Sequence, residues 1–282
     1  MKKVLTTLSL GAEYTSEYTI RLIKDVLELS SLDLYVTTNC RDVIEGVYGQ
    51  NERIKIKDIN LKDVKIRIPM GENKGGDDFN FNLKYLCFEP VMKFTDALIL
   101  YTDCDNSFDW WDEQVVEEYT TRNFQQGFDF LAPRAGLTVQ TCIDSFNAQC
   151  EKDETHYQSS TLIWHKFFNY DMVSTSPLRV SDSHTPKWGP AGLPAEHLLL
   201  FYNTGNKLEK FVEQWKWFHD YLVNREYTWG TWAEAFEIGV SAYLAGFNVR
   251  DIGYSDPVWG KIITFNGYKT GPKGGKVYAT LR

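Results

Sequence analysis

Cysteine is scarce and unpatterned in this chain: Cys40, Cys87, Cys104, Cys142 and Cys150 make five, an odd number, widely separated and with no C-x-x-C pair. That spacing excludes a zinc ribbon or a disulfide framework and reads as free thiols in a reducing compartment. Basic charge is also short, with 30 Lys and Arg against 38 Asp and Glu for a net charge of -8. The balance works against non-specific attraction to nucleic acid or an anionic membrane. No stretch approaches the ~18 apolar residues of a membrane-spanning helix. No repeat, low-complexity tract or obvious linker divides the chain. The opening "MKKVLTTLSLGAEY" imitates a secretion signal, but Thr6, Thr7 and Ser9 break its apolar run, so "KVLTTLSL" is read as a first strand. The protein is therefore expected to be soluble and cytoplasmic.

What is present is alternation. At 282 residues the chain is long enough for one large α/β domain or two small ones, with a substantial core, and one mixed domain is the simplest architecture. "TSEYTIRLIKDVLELSS" has Tyr18, Leu22, Ile23, Val26 and Leu27 at helical spacing; "LDLYVTTN" reads as a strand and "RDVIEGVYG" as a short helix closed by Gly49. "RIKIKDI" and "VKIRI" read as further strands or a hairpin, and "DDFNFNLKYLCFEPVMKFT" as a helix bent or broken before Pro90. "DALILYTDCD" is apolar on both faces, which predicts a central strand. The helix "WDEQVVEEYTTRNF" and the strand "FDFLAP" follow. Later come the strands "SSTLIWHK" and "EHLLLFYN", the helices "NKLEKFVEQWKWFHDYLVNRE" and "TWAEAFEIGVSAYLAGF", and the short strand "NVRDIG". The tail "GYKTGPKGGKVYATLR" is basic and glycine-rich, and is expected to form a mobile loop.

The residues that carry chemistry sit where the central strand ends. In extended backbone, residues two apart face the same side, so Asp103 and Asp105 project together while Cys104 points back. Two neighbouring carboxylates raise each other's pKa unless a cation neutralises them. Hard oxygen ligands with open positions suit Mg2+ or Mn2+, which complete their shells with water and substrate phosphate. The plainer alternative is an acidic turn, since Asp and Asn are favoured there. Placement after a buried strand, at the sheet edge where open α/β folds bind ligands, favours the metal reading.

"LILYTDCD", with strand and helix units on either side, resembles the GT-A class of nucleotide-sugar-dependent glycosyltransferases. The resemblance covers most of the chain in element order, and its one specific short motif is D-x-D. It implies an α/β fold with a mixed, mostly parallel sheet flanked by helices. Residues 1–110 would form a Rossmann-like nucleotide-sugar-binding half, 111–260 an acceptor-binding and catalytic half, and 261–282 a basic C-terminal loop. It also implies that Asp103 and Asp105 hold a divalent cation, Mn2+ or Mg2+, against the diphosphate of a donor, with a UDP-sugar favoured and Asp103 also contacting the ribose. "TTLSLGAEYT" resembles the segment that wraps the nucleotide, which nominates Thr7, Ser9 and Tyr14. Tyr14 would alternatively be a staple for the following helix. Lys84 resembles a basic donor contact, or else is a snorkelling surface lysine.

Beyond the strand "EHLLLFYN", the resemblance implies an acidic group on a helix facing the acceptor hydroxyl, so Glu234 and Glu237 are the catalytic candidates, with Glu234 preferred. They otherwise simply complement a helix dipole. In the loop "HTPKWGPAGLPAEH", His184 and Trp188 are acceptor-binding candidates, although Trp188 equally suits a core anchor. The tail partly resembles an H-F-x-G-x-x-K-P-W motif: Phe265 and Gly267 fit, the histidine position is Thr264, and Lys269 stands one place early. Lys269, Lys273 and Lys276 are the candidates for the diphosphate. The function implied is transfer of a hexosyl or pentosyl group from a nucleotide-diphosphate sugar to an acceptor hydroxyl of a glycan, small molecule, protein or modified nucleobase. The alternatives are a nucleotidyltransferase of similar fold and a non-catalytic carbohydrate-binding protein. "TTLSLGAEYT" lacks the glycine-rich basic phosphate loop that the former would carry after its first strand.

Overall fold

The computed structural model describes residues 1–64, 81–133, 198–223, 233–252, 256–270 and 276–281. The first strand, β1 (Lys2–Ser9), turns at Gly11, whose φ of 89° suits a residue without a Cβ. A helical turn Ala12–Tyr14 and a π-helical turn Thr15–Thr19 then lead into α1 (Ile20–Leu29). Next come β2 (Asp33–Thr38), α2 (Arg41–Tyr48), closed by Gly49 at φ 59°, and β3 (Ile54–Asp58). A 3-10 turn Phe81–Lys84 runs into the single-turn α3 (Tyr85–Phe88), followed by β4 (Ala97–Thr102) and β5 (Ser107–Phe108). Helix α4 (Glu113–Gln125) is capped by Asp112, whose side chain accepts from the Val115 N–H, and precedes β6 (Phe130–Pro133). The remaining elements are β7 (Leu198–Asn203), α5 (Lys207–Val223), α6 (Ala233–Leu244), β8 (Val249–Ile252), α7 (Trp259–Ile262), β9 (Ile263–Thr270) and β10 (Lys276–Leu281).

Seven strands form one sheet in the order β3-β2-β1-β4-β7-β6-β8. β7 pairs antiparallel with both β4 and β6, and the other four pairings are parallel. The expected fold, a mixed and mostly parallel sheet flanked by helices, is therefore what forms, and the sheet runs unbroken from residues before 110 to residues after it. "RIKIKDI" is β3, joined in parallel to β2.

Period-two alternation sorts the strand side chains into two cores. Val4, Leu8, Ile99, Tyr101, Leu199 and Phe201 pack with α3, α5 and α6 on one face. Leu5, Leu34, Val36, Leu98, Leu100 and Leu200 pack with α1, α2 and α4 on the other. All six residues of β4 are buried, because strands flank it and helices cover both faces. Each large apolar side chain so enclosed contributes roughly 1.5–3 kcal/mol.

The helix expected over residues 77–95 breaks before Pro90, as expected, because proline has no N–H to continue a helix; its described part is shorter than expected, only the 3-10 turn and α3, with turns from Glu89. One expectation is corrected. The tail expected as a basic loop instead holds the antiparallel pair β9–β10, with Tyr268 opposite Tyr278, and β9 also pairs with β5. Both "ITFNGYKT" and "KVYATL" carry β-branched and aromatic residues that favour strands, and the lysines and glycines around them concealed that signal. The strand expected at "SSTLIWHK" lies outside the described residues, as does most of "VKIRI". Among the described residues no helix is long and apolar enough to cross a membrane.

Candidate functional site

The chain leaves β1 toward β2 on one side and returns to β4 on the other, so the crevice between the carboxyl ends of β1 and β4 is the sheet's topological switch point. Both aspartates lie there, just beyond Thr102. The turn is fixed by the Asn106 N–H donating to the Asp103 carbonyl at 3.1 Å and by the Asn106 side-chain amide donating to Thr102 Oγ1 at 3.0 Å. Across the crevice, the Thr7 hydroxyl donates to the Thr102 carbonyl at 2.7 Å.

The two carboxylates have different neighbours. Lys84 Nζ lies 2.7 Å from Asp103 Oδ1, and the Tyr101 hydroxyl donates to the same oxygen. Lys84 is only 3% exposed, so its ammonium pairs from the interior with a half-buried carboxylate and does not snorkel to the surface. Asp105 is hydrogen-bonded by Tyr14, and its backbone carbonyl accepts from Arg21 Nη2 at 2.8 Å. Burial, and after it the Asp103 charge, push the Asp105 carboxyl up to about 6, against the pull of Tyr14 and Lys84.

The nucleotide-side candidates divide. Thr7 and Ser9 are fully buried, and their hydroxyls are engaged within the protein. Ser9 Oγ accepts from Thr19 Oγ1 at 2.6 Å and lies 2.8 Å from Thr15 Oγ1. These contacts join the end of β1 to the π-helical turn. Cys104 is buried against them, and burial pushes its thiol up to about 12. Tyr14 is half-buried at the rim, its ring centroid 4.9 Å from that of Tyr18, with the Arg21 guanidinium 5.8 Å from the Tyr18 ring. Sequence reasoning missed Arg21 and Tyr101. Arg21 falls seven residues after Tyr14, two helical turns along one face, and Tyr101 stands two before Asp103 on one strand face.

Of the catalytic candidates, Glu237 is 1% exposed within α6, and its Oε2 accepts from Trp215 Nε1 at 3.0 Å. Glu234 falls near the start of α6, with its side chain outside the described residues. His184, Trp188 and Lys273 lie outside the described residues altogether. Lys269 belongs to β9, opposite Val277, and Lys276 to β10, opposite Thr270. Thr264, at the expected histidine position, pairs with Ser107, two residues past Asp105, so the hairpin starts beside the aspartate turn.

Asp103 and Asp105 offer neighbouring hard oxygen donors, and burial, with the Asp103 charge after it, pushes the Asp105 carboxyl up; a divalent cation suits such a pair. Among the described residues no group of three His, Cys, Asp or Glu could hold a metal alone. The fit is thus to an ion that keeps waters and takes further oxygens from a substrate.

No protein-family model matches the chain, and no curated protein matches it in sequence. Among solved structures it is similar to mouse xyloside xylosyltransferase 1 in its apo form, at 12% identity over 90% of this chain and 86% of that one, with a TM-score of 0.44. It is similar to the galactosyltransferase LgtC in complex with donor and acceptor sugar analogues, at 11% identity over 92% and 82%, TM-score 0.44. It is also similar to core-mannan synthase A from Aspergillus fumigatus in its Mn/GDP form, at 10% identity over 88% and 70%, TM-score 0.41.

Proposed function

We propose that this chain is a metal-dependent glycosyltransferase that moves a sugar from a nucleotide-diphosphate donor to an acceptor hydroxyl. The observation that carries the reading is the neighbouring pair of half-buried Asp103 and buried Asp105, with buried Lys84 beside Asp103, at the switch point between β1 and β4. Asp103 and Asp105 would hold Mn2+ or Mg2+, which when bound supplies positive charge for the departing diphosphate. Tyr14 and Arg21 border the crevice where a nucleotide would lie, and Lys84 lies against Asp103 Oδ1. Glu234 addresses the acceptor, while Glu237, buried against Trp215, supports the helix that carries Glu234. In this reading Lys269, Lys273 and Lys276 would meet the diphosphate, and His184 and Trp188 the acceptor. A UDP-sugar is the favoured donor.

The test is incubation with a panel of UDP, GDP, ADP and CMP sugars plus Mn2+, reading donor hydrolysis and thermal shift. A metal-dependent response to at least one donor is expected. Silence across the panel overturns the reading.

A further inference from the structure

A carboxylate that must present an oxygen to a cation works best when its own rotation is arrested, and the residues that arrest it matter nearly as much as the ligand. Tyr101 is fully buried, the last but one residue of β4, with its ring centroid 5.4 Å from that of Phe88 in α3. Its hydroxyl donates to Asp103 Oδ1, the oxygen that Lys84 Nζ also approaches. Both donors therefore grip one oxygen from the interior, and both belong to a braced block. The Thr6 hydroxyl donates to the Cys87 carbonyl at 2.5 Å, and the Cys87 thiol donates to the Lys84 carbonyl at 2.9 Å, tying the α3 turn to β1. A phenylalanine would fill the same apolar pocket without the cost of burying a hydroxyl, so the tyrosine is explained by its bond to Asp103.

Building on the metal-dependent reading above, we propose that Tyr101 is a positioning residue: its hydroxyl, with Lys84, fixes Asp103 Oδ1 so that the carboxylate is set for a divalent cation before that cation arrives. Tyr101 itself touches neither the ion nor the donor. The Tyr101→Phe variant keeps the ring packing and removes only the donor. Mn2+ binding, alone and with UDP, is measured by electron paramagnetic resonance of free Mn2+, beside the melting temperature in EDTA. Tyr101→Phe is expected to bind Mn2+ about 10-fold more weakly than the wild type, with an unchanged melting temperature. Encoding 3-fluorotyrosine at position 101 keeps the ring and hydroxyl, should hold wild-type affinity, and gives a fluorine resonance that broadens with Mn2+ but not with Mg2+. Wild-type Mn2+ affinity in Tyr101→Phe, or a lower melting temperature with affinity intact, overturns the inference and leaves the glycosyltransferase reading standing. A fluorine resonance unmoved by bound Mn2+ overturns it too, and serves if the phenylalanine variant does not fold. Absence of Mn2+ binding to the wild type, with or without UDP, removes both.

Discussion

At the base of the β1–β4 strand pair, Lys3 reaches two carboxylates, Glu113 and Glu117; at the rim, Lys84 reaches Asp103 beside Asp105. The composition is the same, one lysine and two acids, and the surroundings are opposite. The side chains of Glu113 and Glu117 are 48% and 51% exposed, and Glu113 is further satisfied by Trp111 Nε1 at 2.7 Å and the Ser31 hydroxyl. Solvent screens that cluster, and hydrogen bonds to Lys3 hold both acids below their usual range, Glu113 against the opposing effect of burial. At the rim Asp105 is buried, so burial first and the Asp103 charge after it leave its carboxyl pushed up instead of down. The base is a staple between β1 and α4. The rim sets two carboxylates side by side, one of them buried and raised.

The largest effect expected from that difference is on activity. Asp103→Asn combined with Asp105→Asn should lower metal-dependent donor turnover at least about 100-fold, while Glu113→Gln with Glu117→Gln leaves it unchanged. Equal losses from the two pairs would erase the distinction. Next is reactivity: with its thiol pushed up to about 12, Cys104 should be alkylated by iodoacetamide at pH 8 at least about 100-fold more slowly in the native protein than in urea. Mass spectrometry of the peptide bearing Cys104 reads this, and rapid native labelling would mean that the rim is wet.

Smaller effects are on stability. The Asp105 carboxyl is raised in the folded protein from 3.8 to about 6, so its ionised form disfavours folding above about pH 6, and the penalty fades as pH falls toward the unfolded value. In EDTA at pH 7, Asp105→Asn should therefore melt higher than the wild type, by on the order of 2–4 °C. That gap should close between pH 6 and pH 4; a variant that melts lower at pH 7 would show that Asp105 is stabilising as an anion. The base gives the least. Lys3→Gln should lower the melting temperature by about 2 °C, and 1 M NaCl should shrink the difference. Glu113 acts with the opposite pH sign from Asp105: its depressed pKa adds stability above the unfolded value of 4.5, lost as pH falls through the folded value.

Much of the fold was legible because burial on two faces leaves a plain record. The run "ALILYT" could be placed as a central strand, and the periodicity of Leu22, Ile23 and Val26 as a helix, with no partner known. The carboxylate pair was legible for the same reason, since D-x-D follows a strand whose end had to lie at the sheet's rim. Lys84 was nominated, but not its contact, which depends on a 3-10 turn that apolar composition had disguised as a long helix. Glu237 shows the limit from the other direction. Its position near a helix start suggested an open acid, yet α5 packs Trp215 against it, and no periodicity in "AEAFEIGV" reports what a second helix will place there.

By itself the amino-acid sequence determined the strands and helices of the sheet's core and where two acids would stand together, because alternation and apolar runs are local properties of the chain. Only the tertiary structure decided that β4 lies between β1 and an antiparallel β7, and that the tail becomes a hairpin on β5. It alone decided that Tyr101 and Lys84 meet on one oxygen of Asp103. Lys84 and Asp103 are 19 positions apart in the sequence. The energy of a buried pair depends on the water excluded around it, and that is set by the packing of distant segments.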